Sequence, residues 1–267
     1  MKSLLVSLLF FSICSFLHAQ TTVYVPDNFA TIQQAIAGSQ NGDTVIVRDG
    51  TYNEIVTLSS RAITLKSENG PASTFISGLG LTGVGVVNCI NGEGSNTIID
   101  GFTIIEGSTT DNGGVYLSQS APKLINLVLQ QNKYGLTAAN SSTIDISDSV
   151  ISENEWTGIF CSFSTGNVTG CEVTDNLGLG GQGGGFYLDW STLTIADTLI
   201  SSNQSYESGG GVYAYKSEVT VSECEISNNS ADNQHGRRGG GLYMVQCELV
   251  IVDYSLENNT SHESGGG

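Results

Sequence analysis

The sequence has few of the residues on which most catalytic and metal sites depend. Its 267 residues include three histidines, six cysteines, two methionines, and nine lysines and arginines together. With so few histidines, one of them inside the apolar N-terminal stretch, a histidine-based metal site or a serine–histidine–aspartate triad is disfavoured. We therefore expect no metal site, and the sequence assigns no catalytic residue.

Positive charge is equally scarce. The formal net charge is −17, and loss of Lys2 with the N-terminal leader described below would make it −18. Such a charge excludes nucleic acid as a natural partner and disfavours binding of polyanions without a bridging cation.

The N-terminus has the pattern of a secretory signal peptide over residues 1–19. Lys2 precedes an apolar run from Leu4 to Leu17, and Leu17-His-Ala19 supplies the cleavage site. No other stretch is long and apolar enough for a transmembrane helix. We expect a secreted or cell-surface protein. Its five remaining cysteines are an odd number, which does not make a disulfide framework.

One phrase recurs six times between Leu127 and Gly267: an aliphatic residue, two small or polar residues, and Asn, followed by a glycine-bearing turn and usually an apolar–aromatic pair. Repeats of 20–50 residues indicate a solenoid, in which each unit buries its apolar face against its neighbours. We expect the six asparagines to stack at one turn in the left-handed conformation and to hydrogen-bond along the stack. They are Asn132, Asn154, Asn176, Asn203, Asn229 and Asn259.

The spacing within the repeat predicts the fold class. From the second residue of each apolar–aromatic pair to the start of the next coil there are eleven residues, or twelve in the coil of Thr137, whereas the segment after Asn varies widely in length. Apolar residues alternate at period two, as in Val212, Ala214, Val219 and Val221. We predict an all-β, right-handed, single-stranded parallel β-helix with three short strands per coil and loops of free length on one side.

The N-terminal part predicts a cap for this solenoid. Thr31-Ile-Gln-Gln34 has the pattern of a capping box, so a short helix is expected through Ala37, ending at Gly38. It would cover strand edges that the first coil otherwise exposes. The expected domain spans residues 20–267. Because Ser261–Gly267 repeats the start of a further unit and then stops, we expect the domain to be truncated at the C-terminus.

Several motifs carry a family resemblance. The segments Thr31-Ile-Gln-Gln-Ala-Ile36, Asp49-Gly-Thr-Tyr52 and Ile98-Ile-Asp-Gly-Phe-Thr-Ile104 resemble the opening of pectate-lyase-like right-handed parallel β-helix proteins. The later repeats resemble those of chlamydial polymorphic outer-membrane proteins, with Ile, Leu or Val in place of Phe and Gly-Gly-Gly-x-Tyr as the second motif. The resemblance implies the fold; it says little about function, because these motifs belong to the scaffold itself.

Two groups of residues are candidates for ligand binding. Alternation directs one aromatic residue per coil outward, so we predict an exposed row suited to stacking on sugar rings, or packed under the loops. A long loop beside it contains a histidine and two arginines, which could hold a carboxylate or sulfate of an acidic sugar. The candidates are Phe160, Tyr187, Tyr213 and Tyr243 in the row, and His235, Arg237 and Arg238 in the loop.

Three functions remain open from the sequence. The first is non-catalytic binding or adhesion to an extracellular polysaccharide or cell-surface glycan through the variable loops. The second is a structural stalk. The third is a lyase acting on a uronate-containing chain; lyases of similar fold remove a proton with a basic residue while calcium neutralises the carboxylate, so calcium is an expected cofactor only in that case. We favour the first, with no cofactor.

Overall fold

The computed structural model describes residues 19–108, 113–231, 238–262 and 265–266. The predicted signal peptide lies almost wholly outside these residues. Within them, no helix is long and apolar enough to cross a membrane. The chain winds as a parallel β-solenoid of nine coils, and every strand pair is parallel. The predicted all-β parallel β-helix is confirmed.

Three long sheets run along the solenoid, one strand per coil. Sheet A has ten strands: Thr22–Val25, Thr44–Val47, Thr64–Ser67, Ile98–Asp100, Lys123–Ile125, Thr143–Ser147, Thr165–Thr169, Thr192–Ala196, Glu218–Ser222 and Glu248–Val252. Sheet B has nine: Gly50–Asn53, Thr74–Ser77, Thr103–Ile105, Val128–Gln130, Val150–Ser152, Glu172–Thr174, Leu199–Ser201, Glu225–Ser227 and Ser255–Glu257.

Sheet C follows sheet B in each coil and has eight strands: Val56–Thr57, Val87–Cys89, Val115–Ser118, Leu136–Ala139, Ile159–Ser162, Phe186–Asp189, Val212–Tyr215 and Leu242–Val245. Three late coils also contain a fourth, two-residue strand after the repeated Asn, which the three-strand prediction did not include. These strands form sheet D: Gln204–Ser205, Ser230–Ala231 and Thr260–Ser261.

The core is a column of aliphatic side chains inside the three sheets. Alternate residues of each strand point inward, so Leu193 and Ile195 of one sheet A strand lie against Val219 and Val221 of the next, all of them buried. β-Branched and aliphatic residues suit this position because each packs on its equivalent one coil away. Cys161 is one of these inward residues, and its side chain is fully buried.

The helix Ile32–Gly38 closes the N-terminal end as predicted, with Thr31 as its N-cap accepting a hydrogen bond from the Gln34 backbone amide at 3.1 Å. The two other backbone amides of the first turn, those of Ile32 and Gln33, donate to the two carboxylate oxygens of Glu54 at 3.0 and 2.9 Å. The Gln33 side-chain amide pairs with the backbone of Thr57 on the first strand of sheet C. The helix therefore satisfies backbone hydrogen-bonding groups of a strand edge that would otherwise be unpaired.

The predicted asparagine ladder is present at the corner between sheets B and C. Each side-chain oxygen accepts the backbone N–H of the preceding rung; the distance is 3.1 Å from Asn132 to Asn154 and 2.9 Å from Asn203 to Asn229. The predicted left-handed conformation is wrong for the asparagines themselves. The residue before each one has positive φ instead, for example Asp175 at 56°. The bend therefore precedes the ladder and leaves each buried Asn free to point along the stack.

Candidate functional site

The predicted row of aromatic side chains lies on the outer side of sheet C, in the predicted register. Phe160 pairs with Tyr187, Tyr187 with Tyr213, and Tyr213 with Tyr243, each on successive coils. We call these four residues the aromatic ladder. Their ring centroids are 4.9, 5.2 and 5.9 Å apart, with interplanar angles of 8°, 21° and 25°. The rings are stacked on one another along the solenoid axis.

Of the two predicted alternatives, an exposed row and a packed one, the burial of the rings agrees with the packed one. Tyr213 is only 7% exposed, and Phe160, Tyr187 and Tyr243 are partly buried. Because the interior rings use both faces against their neighbours, they present edges and hydroxyl groups to the outside, and a sugar cannot stack face to face on them. The aromatic ladder therefore packs one coil against the next along its length.

Burial changes the acidity of two of these phenols. It raises the pKa of Tyr213 from 10.0 to about 12, and the neighbouring Tyr187, Tyr243 and Asp189 add to the effect. The pKa of Tyr187 is raised too, again mainly by burial and then by the charges of Asp189 and Glu207. Both hydroxyls therefore stay protonated at neutral pH and can donate hydrogen bonds.

A small hollow lies beside Phe160, the first ring of the aromatic ladder, and includes residues of the variable loops. Tyr134 meets Phe160 edge-on at 5.6 Å and Trp156 edge-on at 5.2 Å. The Lys133 ammonium lies 4.0 Å from the centre of the Trp156 ring, within the range of a cation–π contact. The hollow has a volume of about 180 Å³, and its lining consists of Tyr134, Trp156, Thr157, Phe160, Gly180, Gln182 and Tyr187.

The loops after the asparagine ladder reach this side of the molecule, and glycine fixes their course. In the Gly-Gly-Gly segment that precedes Tyr187, a Cβ on Gly184 would lie 2.5 Å from the Gln204 carbonyl oxygen and 2.6 Å from that of Gly210. No other residue allows coils to approach this closely. The repeated glycines thus bring each loop back onto sheet C directly before a ladder ring.

The arginine loop is described only at its end. His235 and Arg237 lie outside the described residues. Arg238 has an exposed side chain, and its backbone is held to the preceding coil through the Ser208 hydroxyl and the Gly209 amide. Its position, five residues before Tyr243, keeps it on the side of the molecule where the loops emerge.

A second aromatic pair was not among the predicted site residues. Phe163 and Trp190 stack at 6.2 Å with an interplanar angle of 9°, at the corner between sheets C and A. Each lies three residues after a ladder ring, Phe160 and Tyr187 respectively, so the same spacing rule could have found them. We call them the corner pair. They are 58% and 50% exposed, far more than Tyr213.

Neither thiol nor metal chemistry has an evident place at these surfaces. Burial raises the pKa of Cys161 and of Cys171 to about 11, so both stay protonated and unreactive at neutral pH. In the part of the chain that the structure describes, no three His, Cys, Asp or Glu side chains are grouped so that they could hold a metal ion. Asp197 and Glu223, on adjacent coils, occupy left-handed corner positions between sheets A and B.

Comparison with known proteins identifies the scaffold. A family model described as the right-handed β-helix region matches residues 9–200. Among solved structures, pectin methylesterase from carrot is similar in fold, with 10% sequence identity, a TM-score of 0.46, and coverage of 86% of this chain and 89% of that one. Similarity at this level bears on neither activity nor substrate. No curated protein sequence matches the chain.

Proposed function

Since this chain belongs to the right-handed β-helix family, we propose that it acts as an exported, non-catalytic binding segment that holds a polysaccharide against the outer side of sheet C. The observation that carries the proposal is the hollow at the start of the aromatic ladder, where rings, an amide and a cation meet beside the variable loops. Sugar rings have apolar faces and polar rims, and such mixed surfaces suit both.

The arrangement of rigid and variable parts supports the same function. From strand Thr143–Ser147 onward, the A–B and C–A corners keep a constant length, and the loops of different length emerge between sheets B and C. In repeat proteins, insertions confined to one side usually form the binding side. Here they adjoin a ladder whose rings repeat every coil, at a spacing that a long, repetitive ligand could follow.

The partner is proposed to be a polysaccharide or a cell-surface glycan outside the cell. The net charge of −17 would repel a polyanionic chain. Binding to an acidic polysaccharide would therefore need local positive groups, such as Lys133 and Arg238, or a bridging cation. Neutral polysaccharides meet no such barrier, and we expect them to bind more tightly.

Affinity electrophoresis of the purified chain tests this proposal. Native gels containing β-glucan, galactan, mannan, xylan, pectin or alginate should retard the protein in at least one case. Trp156→Ala should weaken that retardation by about tenfold, because it removes a wall of the hollow and the platform for Lys133. Tyr254→Ala is the control: it deletes a half-exposed aromatic ring on the last coil, several coils away from the hollow.

The same experiment decides among the alternatives. No retardation in any gel overturns the proposal and favours a structural stalk. Retardation that Trp156→Ala leaves unchanged, with circular dichroism matching the wild type, moves the site away from the hollow. Ultraviolet absorbance from newly formed unsaturated uronate, with and without calcium, detects a lyase; a calcium-dependent signal lost in Arg237→Ala/Arg238→Ala would replace binding with catalysis.

A further inference from the structure

From the coil of Val115 onward, the corner between sheets C and A has one bend residue of positive φ in every coil but one. The bend residue has positive φ: 53° at Gln119, 49° at Phe163, 47° at Trp190, 47° at Lys216 and 55° at Gln246. This left-handed region is unfavourable for residues with a Cβ and is especially rare for bulky ones. Folding alone would favour Asn or Gly at all these bends.

Phe163 and Trp190 are thus costly residues in exposed, strained positions. Burial of these side chains contributes little to stability, since Phe163 is 58% exposed and Trp190 is 50% exposed. Backbone strain that stability does not explain is often associated with function. The polar residues in the equivalent bends show that the fold itself does not require an aromatic there.

The stack at this corner has one covered end and one open end. The Lys216 ammonium, from the following coil, lies 4.4 Å from the centre of the Trp190 ring. Phe163, from the preceding coil, covers Trp190 from the other side. Among the described residues, no second ring stacks on Phe163, so its face toward the coil before it lacks an aromatic partner.

That preceding coil is the exception among the coils from Val115 onward. Two residues, Asn140 and Ser141, occupy its corner, which accounts for the extra residue counted in this coil. The Asn140 side chain turns away and donates to the Ser118 hydroxyl at 3.0 Å. The small, exposed Ser141 lies beside Phe163, and its backbone N–H donates to the Phe163 carbonyl at 2.8 Å.

A groove of about 430 Å³ follows this corner, and its lining is uncharged: Ser141, Ser142, Phe163, Ser164, Thr165, Trp190 and Thr192. Ser142 and Ser164 are buried and donate to backbone carbonyls, so the exposed hydroxyl-bearing side chains beside the two rings are those of Ser141, Thr165 and Thr192. The two charged groups beside the groove have opposite signs: the Lys216 ammonium lies on Trp190, and the Glu218 carboxylate accepts a hydrogen bond from Thr192 at 3.5 Å. A groove with an uncharged lining between opposite charges favours neutral ligands over anions and cations alike. Hydroxyl groups flanking an aromatic face match the rim and the apolar face of a sugar ring.

We infer that the groove at the corner pair is a subsite for a neutral pyranose, which continues the Lys216–Trp190–Phe163 stack by resting its apolar face on Phe163 while Ser141 and Thr165 hydrogen-bond its hydroxyls. This inference rests on the proposed function, because it names one contact of the same polysaccharide. Phe163 lies three residues from the ladder ring Phe160, so a single bound chain can reach both places.

Nuclear magnetic resonance with defined oligosaccharides tests the subsite. The chain has two tryptophans, so its indole N–H spectrum has two signals, and Trp190→Phe assigns them. Oligomers of glucose, galactose, mannose and xylose are titrated separately, with trigalacturonate as the acidic comparison. At least one neutral oligomer should shift the Trp190 signal in a saturable way, and trigalacturonate should shift it less at equal concentration.

Two variants and a control complete the test. Phe163→Ala should weaken neutral-oligomer binding by about tenfold, which corresponds to about 1.4 kcal/mol. Ser141→Trp should also weaken it, because the new ring would occupy the open face of Phe163 and the Ser141 hydroxyl would be lost. Tyr254→Ala, which removes a half-exposed ring elsewhere, should change nothing.

The outcomes separate this inference from the proposed function. If the wild type binds a polysaccharide but neither Phe163→Ala nor Ser141→Trp alters the affinity, the subsite is overturned and the proposed function stands. A larger Trp190 shift with trigalacturonate than with every neutral oligomer also overturns it. If no oligomer or polysaccharide binds the wild type, both fail.

Discussion

The aromatic ladder and the corner pair use the same device with different consequences. Both stack rings from successive coils, and their members lie three residues apart in the sequence. The ladder rings follow extended backbone on sheet C under incoming loops, so Tyr213 is 7% exposed. The corner rings occupy left-handed bends that no loop covers, so Trp190 is 50% exposed. Position within the coil, more than residue type, decides whether a stack serves packing or remains available to a ligand.

The largest expected difference between the two stacks is in stability. Tyr213→Ala should lower the free energy of unfolding by about 3 kcal/mol, because it empties a buried site between two stacked rings. Trp190→Ala should change it by no more than about 0.5 kcal/mol, since its ring is half exposed. Urea unfolding followed by circular dichroism measures both. Equal losses in the two variants would contradict the distinction.

The alkaline pH dependence of stability should also distinguish the ladder. Because the folded-state pKa of Tyr213 is raised from 10.0 to about 12, the neutral phenol stabilises the fold fully below pH 10. Between pH 10 and 12 the unfolded state loses this proton first, so the urea midpoint should fall. Tyr213→Phe, which has no phenol to ionise, should show a smaller fall. The same midpoint slope in Tyr213→Phe and the wild type would exclude Tyr213 as its source.

The smallest effect is expected at the corner itself. Phe163→Asn should raise the free energy of unfolding by about 0.5 kcal/mol, because Asn tolerates the left-handed bend and little burial is lost. The same variant should weaken binding of neutral oligosaccharides. Phe163 would then favour ligand binding while lowering the free energy of unfolding. A loss of 2 kcal/mol or more on urea unfolding would instead assign Phe163 a structural role; Gln246→Asn, another bend of positive φ, is the matched control.

Several features of the fold could be predicted from the sequence because they repeat. Each coil buries the same positions, so the period-two pattern of Val219 and Val221 and the recurrent Asn predict strands and a ladder at fixed places. The helix cap was predictable from a local hydrogen bond, that between Thr31 and Gln34. The register of the aromatic ladder followed from the same counting, and its stacking is the direct result of one residue type recurring at one position.

The sequence alone therefore predicts the coil, its register and its cap, because these depend on the repeat period and on local hydrogen bonding. Exposure could not be predicted in this way, because it depends on which loops return over which strand. By alternation Tyr213 points outward and Trp190, three residues after the outward Tyr187, points inward, yet the tertiary structure covers the first and exposes the second. The position of the left-handed bend could not be predicted from the sequence either. It falls on the residue before each ladder asparagine, and the asparagine itself does not adopt it.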